Sequence, residues 1–208
     1  MKYLPWIKSS VFIACLIPFG QLLFQAFTDN LGANPVETIT RSTGIWTLTF
    51  LLITLSVTPL RRISGQHWLI KLRRMLGLFA FFYVSLHFTT FILFDHFFDF
   101  QEIVKDVLKR PFITVGFTSF LLLIPLALTS TSGMVRRLGG KRWQQLHRLI
   151  YVAAIGGVVH FLWLVKIDIR RPLIYGSILA LLLTYRIVTI WQPKLNFRFL
   201  KLSSPRPE

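Results

Sequence analysis

Three histidines carry most of the chemistry this sequence offers. His147 and His160 stand near the two ends of "LHRLIYVAAIGGVVHFLWLVK", residues 146–166, and His87 lies within "FFYVSLHFTTF". Both stretches are apolar enough for a bilayer interior, where an ionisable side chain is costly and points to function. No aspartate or glutamate falls inside any long apolar run, so the carboxylate relay of proton pumps and cation-coupled transporters is missing. Neutral imidazole, by contrast, is a frequent ligand for metals and for haem iron.

Spacing sorts the three. His87 lies 13 residues beyond Arg74, and His160 lies 13 beyond His147. At a rise of about 1.5 Å per residue this is about 20 Å, too far for His147 and His160 to share one iron. His87 and His160 instead reach matching depths in the outer half of the membrane, where imidazoles from two facing helices can clamp one b-type haem. Ala153, Gly156 and Gly157 precede His160 by 7, 4 and 3 residues on its own face. Small residues there either let helices approach closely or leave room for a flat macrocycle. A single membrane histidine is more simply an interhelical hydrogen-bond partner; two at one depth, without a carboxylate, favour haem.

His147 is a separate case. At about 100° per residue, thirteen steps set it roughly 140° around an ideal helix from His160. The two share a stripe only if the helix bends or holds a π-bulge. Arg73, 14 residues before His87, returns to nearly the face of His87. Arg73, Arg74, Trp143, Gln144 and His147 thus gather at the inner ends of two helices. They offer positive charge, an amphipathic ring and hydrogen-bonding groups to an inner haem or its propionates, a flavin, or a quinone headgroup. A plain headgroup-boundary role suits them equally well.

These residues need membrane helices to hold them, and the rest of the chain supplies the pattern. Its 208 residues are 53% hydrophobic and 15% charged, with a mean hydropathy of +0.58. That composition excludes an ordinary soluble domain and fits an all-α bundle of transmembrane helices. Six spans of bilayer length are expected, at about 6–27, 44–60, 75–94, 111–130, 147–165 and 172–191, in one domain covering 1–208. The second is short and rich in polar threonine. The run after Lys2 and Lys8 continues past Cys15 to Phe27, which favours a retained first helix over a cleaved leader. A single cysteine rules out an intrachain disulfide and any Cys-rich metal motif.

The net charge of +16 does not point to nucleic acid, because the cations sit between apolar runs rather than on one continuous face. The 61–74 connection holds Arg61, Arg62, Lys71, Arg73 and Arg74, and the 131–148 connection holds Arg136, Arg137, Lys141, Arg142 and Arg148, with no acid in either. Arg186, Lys194, Arg198, Lys201 and Arg206 add a basic tail. Asp29, Glu37, Asp95, Asp99, Glu102, Asp106 and Asp168 fall in the other connections. The basic loops and both termini are therefore expected in the cytoplasm of a multi-pass inner-membrane protein. The segments "VETITRSTGIW" and "FQEIVKDVLKRPFI" are expected outside as short interfacial pieces, and His67 and His96 as solvated or headgroup-level residues.

The segments "RRMLGLFAFFYVSLH", "KRPFITVGFTSFLLLIPLALTST", "LGGKRWQQLHRLIYVAA" and "HFLWLVK", in this order, resemble the MsrQ family within the ferric-reductase-like membrane-domain superfamily. The resemblance covers roughly residues 31–185. It implies six helices and haem-ligating histidines on the third and fifth, matching His87, His147 and His160. It further implies haem b, one or two per chain, and an association with FMN. Electrons would pass from membrane quinones to MsrP, a periplasmic molybdopterin enzyme that reduces methionine sulfoxide in oxidised proteins, so the reduction itself belongs to the partner. Superfamily members with two haems carry four histidines on these helices; here Arg73 or Arg74 stands where the inner third-helix histidine would fall.

The 17 residues after the last expected span are too few for a nucleotide-binding domain, and no Gly-rich fingerprint follows a strand. The expected donor is therefore lipid-soluble or a separate soluble flavoprotein, such as a cytoplasmic flavin reductase. The rival readings are a small transporter or channel whose histidines bind substrate, and a scaffold whose histidines only join helices.

Overall fold

The computed structural model describes residues 3–165 and 167–202, with side chains as far as Thr189. In chain order the helices are α1 (Leu4–Phe27), α2 (Pro35–Ser64), α3 (Arg73–Thr90), α4 (Phe100–Lys109), α5 (Pro111–Leu128), α6 (Ser132–Leu138), α7 (Gly140–Leu146), α8 (Leu149–Leu164) and α9 (Arg170–Leu202). No strand occurs among the described residues. In lipid every backbone N–H and C=O must be satisfied within the segment, so long apolar runs resolve as helices. Among the described residues six segments are long and apolar enough to cross: α1, α2, α3 continued to Asp95, α5, α7 with α8, and α9 to Thr189. The molecule is a multi-pass membrane bundle.

The second span is the most buried of the six, and it is longer than its apolar run. Asn34 caps it by accepting a hydrogen bond from Glu37 N–H at 3.2 Å, with Pro35 in the first turn. Gly65, at φ 70°, ends it in the left-handed conformation. "VETITRSTGIW" is thus the first third of a membrane helix rather than a separate interfacial piece. The threonines that made the span look polar are internally satisfied. Thr43, Thr47, Thr49 and Thr54 donate to the carbonyls of Ile39, Thr43, Ile45 and Phe50, four residues back, at 2.7–2.9 Å.

Two antiparallel pairs make the frame: α2 packs along α3, and α5 packs along α8. Contacts of α3 with α5 and of α2 with α8 join the pairs, while α9 leans on α2 and α8. One continuous core runs through them, with Leu51, Leu55, Ala80, Tyr83, Ala153 and Ala154 essentially inaccessible. The small residues expected beside His160 serve close approach. Gly156 faces the Ser119 side chain of α5, and Gly157 faces Leu48 of α2.

The first helix is tied to this frame by one hydroxyl. Tyr83 donates to Cys15 O at 2.9 Å and accepts from Phe19 N–H at 3.1 Å. Cys15 and Phe19 would bond each other in an uninterrupted helix, so the phenol is inserted into the ladder beside Pro18. Tyr83→Phe is expected to destabilise the protein by about 1 kcal/mol, the ordinary net worth of a hydrogen bond, because the ladder can close directly once the hydroxyl is gone. Thermal unfolding in detergent would check this; a loss of several kcal/mol would mean that the direct bond cannot re-form.

Two local features differ from ideal-helix expectation. The fifth span breaks between α7 and α8, where Arg148 N–H bonds Gln145 O and Tyr151 N–H bonds Arg148 O, three residues back instead of four. The angular relation of His147 to His160 is therefore not that of a straight helix. The third span closes in a π-turn over Phe91–Asp95. Beyond it His96 is not free in solvent; its Nε2 lies 3.3 Å from Asp106 of α4 and its ring stands edge-on to Phe91. His67 is exposed, as expected. Arg186, counted above with the tail, lies inside the α8–α9–α2 packing. Lys194, Arg198, Lys201 and Arg206 fall outside the residues whose side chains are described.

Candidate functional site: a histidine pair and a basic inner rim

His87 projects from α3 toward α2, and His160 projects from α8 toward α5. The imidazole Nδ1 of His87 lies 2.9 Å from Thr40 O, and that of His160 lies 2.7 Å from Phe112 O. A carbonyl can only accept, so both Nδ1 atoms carry the proton and both Nε2 atoms keep their lone pairs. This is the arrangement by which outer-sphere carbonyls fix the tautomer and aim of a metal-binding histidine.

The two rings then meet across the seam between the helix pairs. Their centroids are 6.2 Å apart with an interplanar angle of 77°. Metal–nitrogen bonds of about 2 Å on opposite sides of one ion put the nitrogens about 4 Å apart and the ring centres about 6 Å apart. The 6.2 Å separation is compatible with two imidazoles sharing one metal ion, and among the described residues no carboxylate or thiolate stands with them. Among the described residues no cluster of three or more His, Cys, Asp or Glu side chains forms a metal site. The donor set is therefore two neutral nitrogens, which suits an iron whose other ligands come from a macrocycle.

Two glycines let the rings reach those carbonyls. A Cβ on Gly44 would stand 3.0 Å from His87 Cε1 and 3.2 Å from its Nδ1. A Cβ on Gly116 would stand 2.7 Å from His160 Nδ1 and 3.0 Å from its Cε1. Gly44 follows Thr40 by four residues, and Gly116 follows Phe112 by four. In an α-helix the carbonyl of residue i points at residue i+4, so a missing side chain there uncovers the oxygen to a lateral donor. Thr40, Gly44, Phe112 and Gly116 escape a search for chemistry-bearing residue types, because a backbone oxygen and an absent Cβ have none. The repeated four-residue spacing is the one trace they leave in the sequence.

The inner rim is assembled differently. His147 stacks on Trp143 at 3.8 Å between centroids, and its Nδ1 donates to Trp143 O at 3.0 Å. Trp143 Nε1 donates to Thr129 O at 2.9 Å, which pins α7 to the end of α5. Arg73 is half-buried and lies within charge range of His147 and of Arg186, Arg61 and Tyr151. Arg74 is exposed and reaches Ser132 Oγ at 3.4 Å. Gln144 is exposed and joins none of these contacts. Of the five residues expected at this entrance, Trp143 and His147 are in contact and Arg73 is half-buried, whereas Arg74 and Gln144 are exposed.

Residues 43–158, more than half of the chain, match the family described as "Ferric reductase like transmembrane component". A protein of Herminiimonas arsenicoxydans is 63% identical over 190 residues, covering 90% of this chain and 87% of that one. Its name is "Protein-methionine-sulfoxide reductase heme-binding subunit MsrQ". Proteins of the same name from Azospira oryzae and Ralstonia nicotianae are 54% and 51% identical, covering 90% and 92% of this chain and 81% and 89% of their own. The chain belongs to the MsrQ family. Family membership agrees with the six-helix fold, and the matched stretch runs from the first third of α2 through α8 to two residues before His160. It contains Gly44, His87, Gly116, His147 and the Phe112 carbonyl, whereas Thr40 and His160 lie just outside it.

Proposed function

We propose that this chain is the haem-binding membrane subunit of a protein-methionine-sulfoxide reductase system and conducts electrons across the inner membrane. The observation that carries the reading is the His87–His160 pair, with both Nδ1 protons anchored and ring centres 6.2 Å apart. His87 and His160 would hold the iron of a b-type haem through Nε2. Haem b bound there supplies a one-electron ferric/ferrous couple. Thr40 O and Phe112 O keep both imidazoles in one tautomer, and the helix packing around them excludes water.

The basic rim of Arg73, Arg74, Trp143, Gln144 and His147 is the proposed electron entrance, facing the cytoplasm with both termini. It would receive electrons from membrane quinol or from a soluble cytoplasmic flavin reductase, and an inner haem or FMN is the group it could hold. His147 uses Nδ1 on Trp143 O, and its Nε2, 3.5 Å from the Ser130 hydroxyl, is the atom that would meet such a ligand. The proposed recipient is a periplasmic MsrP-like molybdopterin enzyme, in a heterodimer, where the sulfoxide is reduced.

The test begins with the absorption spectrum of purified protein, oxidised and dithionite-reduced, with haem per chain from the pyridine haemochrome. A reducible low-spin b-type spectrum is expected, and a chain without haem would leave the transporter or scaffold readings. Arg73→Gln and His147→Ala should then slow haem reduction by a quinol analogue about tenfold or more, the size expected for losing a charged hydrogen-bonding group, while dithionite still reduces the His87–His160 haem fully. Unchanged quinol kinetics in both variants would remove the entrance from the proposal and leave the haem in place.

A further inference from the structure

Among the described residues, three buried side-chain nitrogen or oxygen atoms have no hydrogen-bond partner: Thr58 Oγ1, Arg61 Nε and Arg186 Nε. They belong to one neighbourhood. Leu55, Thr58 and Arg61 occupy successive turns at the inner end of α2, and Arg186 Nη2 donates to Leu55 O at 3.1 Å. Arg186 Nη1 donates to the Tyr151 hydroxyl, and its guanidinium lies 5.0 Å from the centre of that ring. Arg73, at the start of α3, is within charge range of Arg186, Tyr151 and Arg61. Arg61 of α2, Arg73 of α3 and Arg186 of α9 are all half-buried at this end of the bundle, and no carboxylate pairs with any of them among the described residues.

Topological charge does not account for this. Arginines that only mark the cytoplasmic side remain in water, and Arg136, Arg137, Arg142 and Arg148 are all exposed. Arg61, Arg73 and Arg186 are drawn inward, where like charges repel and unpaired polar atoms are costly. A neutral quinone headgroup beside Arg73 would leave the charge of Arg61 and Arg186 uncompensated. A phosphate group, a singly charged diester or a monoester at about −1.5 to −2 at pH 7, supplies both charge and acceptor oxygens, and guanidinium forks are suited to it.

We propose that Thr58, Arg61, Arg73, Arg186 and Tyr151 form an oxyanion site at the inner end of the bundle, which takes a phosphate-type group. Two sources present that chemistry: the phosphate of a bound cofactor and the headgroup of an anionic lipid. The site is separate from the histidine clamp, and its test does not require the outer haem.

Purified full-length protein would be titrated with inorganic phosphate, and with chloride at matched ionic strength, while its thermal unfolding midpoint is followed. Native mass spectra would be recorded for protein released from phosphatidylcholine vesicles with and without phosphatidylglycerol. Phosphate is expected to raise the wild-type midpoint where chloride does not. Arg61→Gln and Arg186→Gln should weaken the response about tenfold or more, one charge-assisted hydrogen-bond network each. Exposed Arg137→Gln, which removes the same charge, should leave it unchanged. If a tightly held anion already blocks the titration, the mass spectrum should show its adduct in wild type and not in the two variants. An adduct that depends on phosphatidylglycerol identifies the lipid source, and one that persists without it identifies a cofactor. A flat phosphate response with no anionic adduct, or a response equal in wild type and both variants, overturns the site.

Discussion

His87→Ala and His160→Ala are each expected to abolish the six-coordinate low-spin spectrum and to lower haem content by one per chain. Each removes one of the two proposed protein ligands. Thr43 Oγ1 lies 3.5 Å from His87 Nδ1, the nitrogen already turned to Thr40 O, and is no substitute ligand. Even removal of an outer-sphere partner commonly costs 10–100-fold in metal affinity, so loss of a ligand should exceed that. His147→Ala should keep the pair's spectrum. Size exclusion and far-UV dichroism would separate loss of haem from loss of fold, since a bundle that merely lacks one imidazole stays monodisperse and helical. Added imidazole should partly restore the low-spin spectrum of His87→Ala by occupying the vacated position. A full low-spin spectrum in His87→Ala without added imidazole would show that the pair is not the ligand set.

The matched depth of His87 and His160 is legible from residue counts alone, because two helices of equal rise start from basic ends at one membrane face. What they bond to is not legible in that way. Thr40 O and Phe112 O are backbone atoms, and only the glycines four residues later mark them. The length of α2 is hidden for a different reason. Hydropathy scores threonine hydroxyls and Arg41 as polar, whereas Thr43, Thr47, Thr49 and Thr54 satisfy their hydroxyls on their own helix. The break at His147 has no glycine or proline to announce it and follows from tertiary packing, with Trp143 held to Thr129 O. Arg186 looks like a tail charge in sequence because nothing local tells a solvated arginine from one drawn over Tyr151. Residues defined by their own side-chain chemistry could thus be found beforehand, and those defined by a neighbour's backbone or charge could not.

Gly116→Ala tests the part of the site that side-chain chemistry does not advertise. The new methyl would lie 2.7 Å from His160 Nδ1, 3.0 Å from Cε1 and 3.1 Å from Cγ, well inside the 3.5–4.0 Å or so of ordinary contact. Ring and helix must part, and the 2.7 Å bond to Phe112 O is the contact that opens first. Overpacking of this kind costs about 1–3 kcal/mol in stability, which leaves a folded protein to examine. An imidazole that no longer donates from Nδ1 is a poorer electron donor through Nε2, so the ferric state loses more support than the ferrous. The midpoint potential should rise, by about 60 mV if the differential is tenfold for one electron. Gly44→Ala should act in the same direction but less, because its closest approach to His87 is 3.0 Å. Gly20→Ala, with nothing within 4 Å, should leave the potential where it is. Steric disruption alone would lower stability without ranking the potentials in this order. Equal potentials in all three variants would show that the carbonyl anchors do not tune the iron.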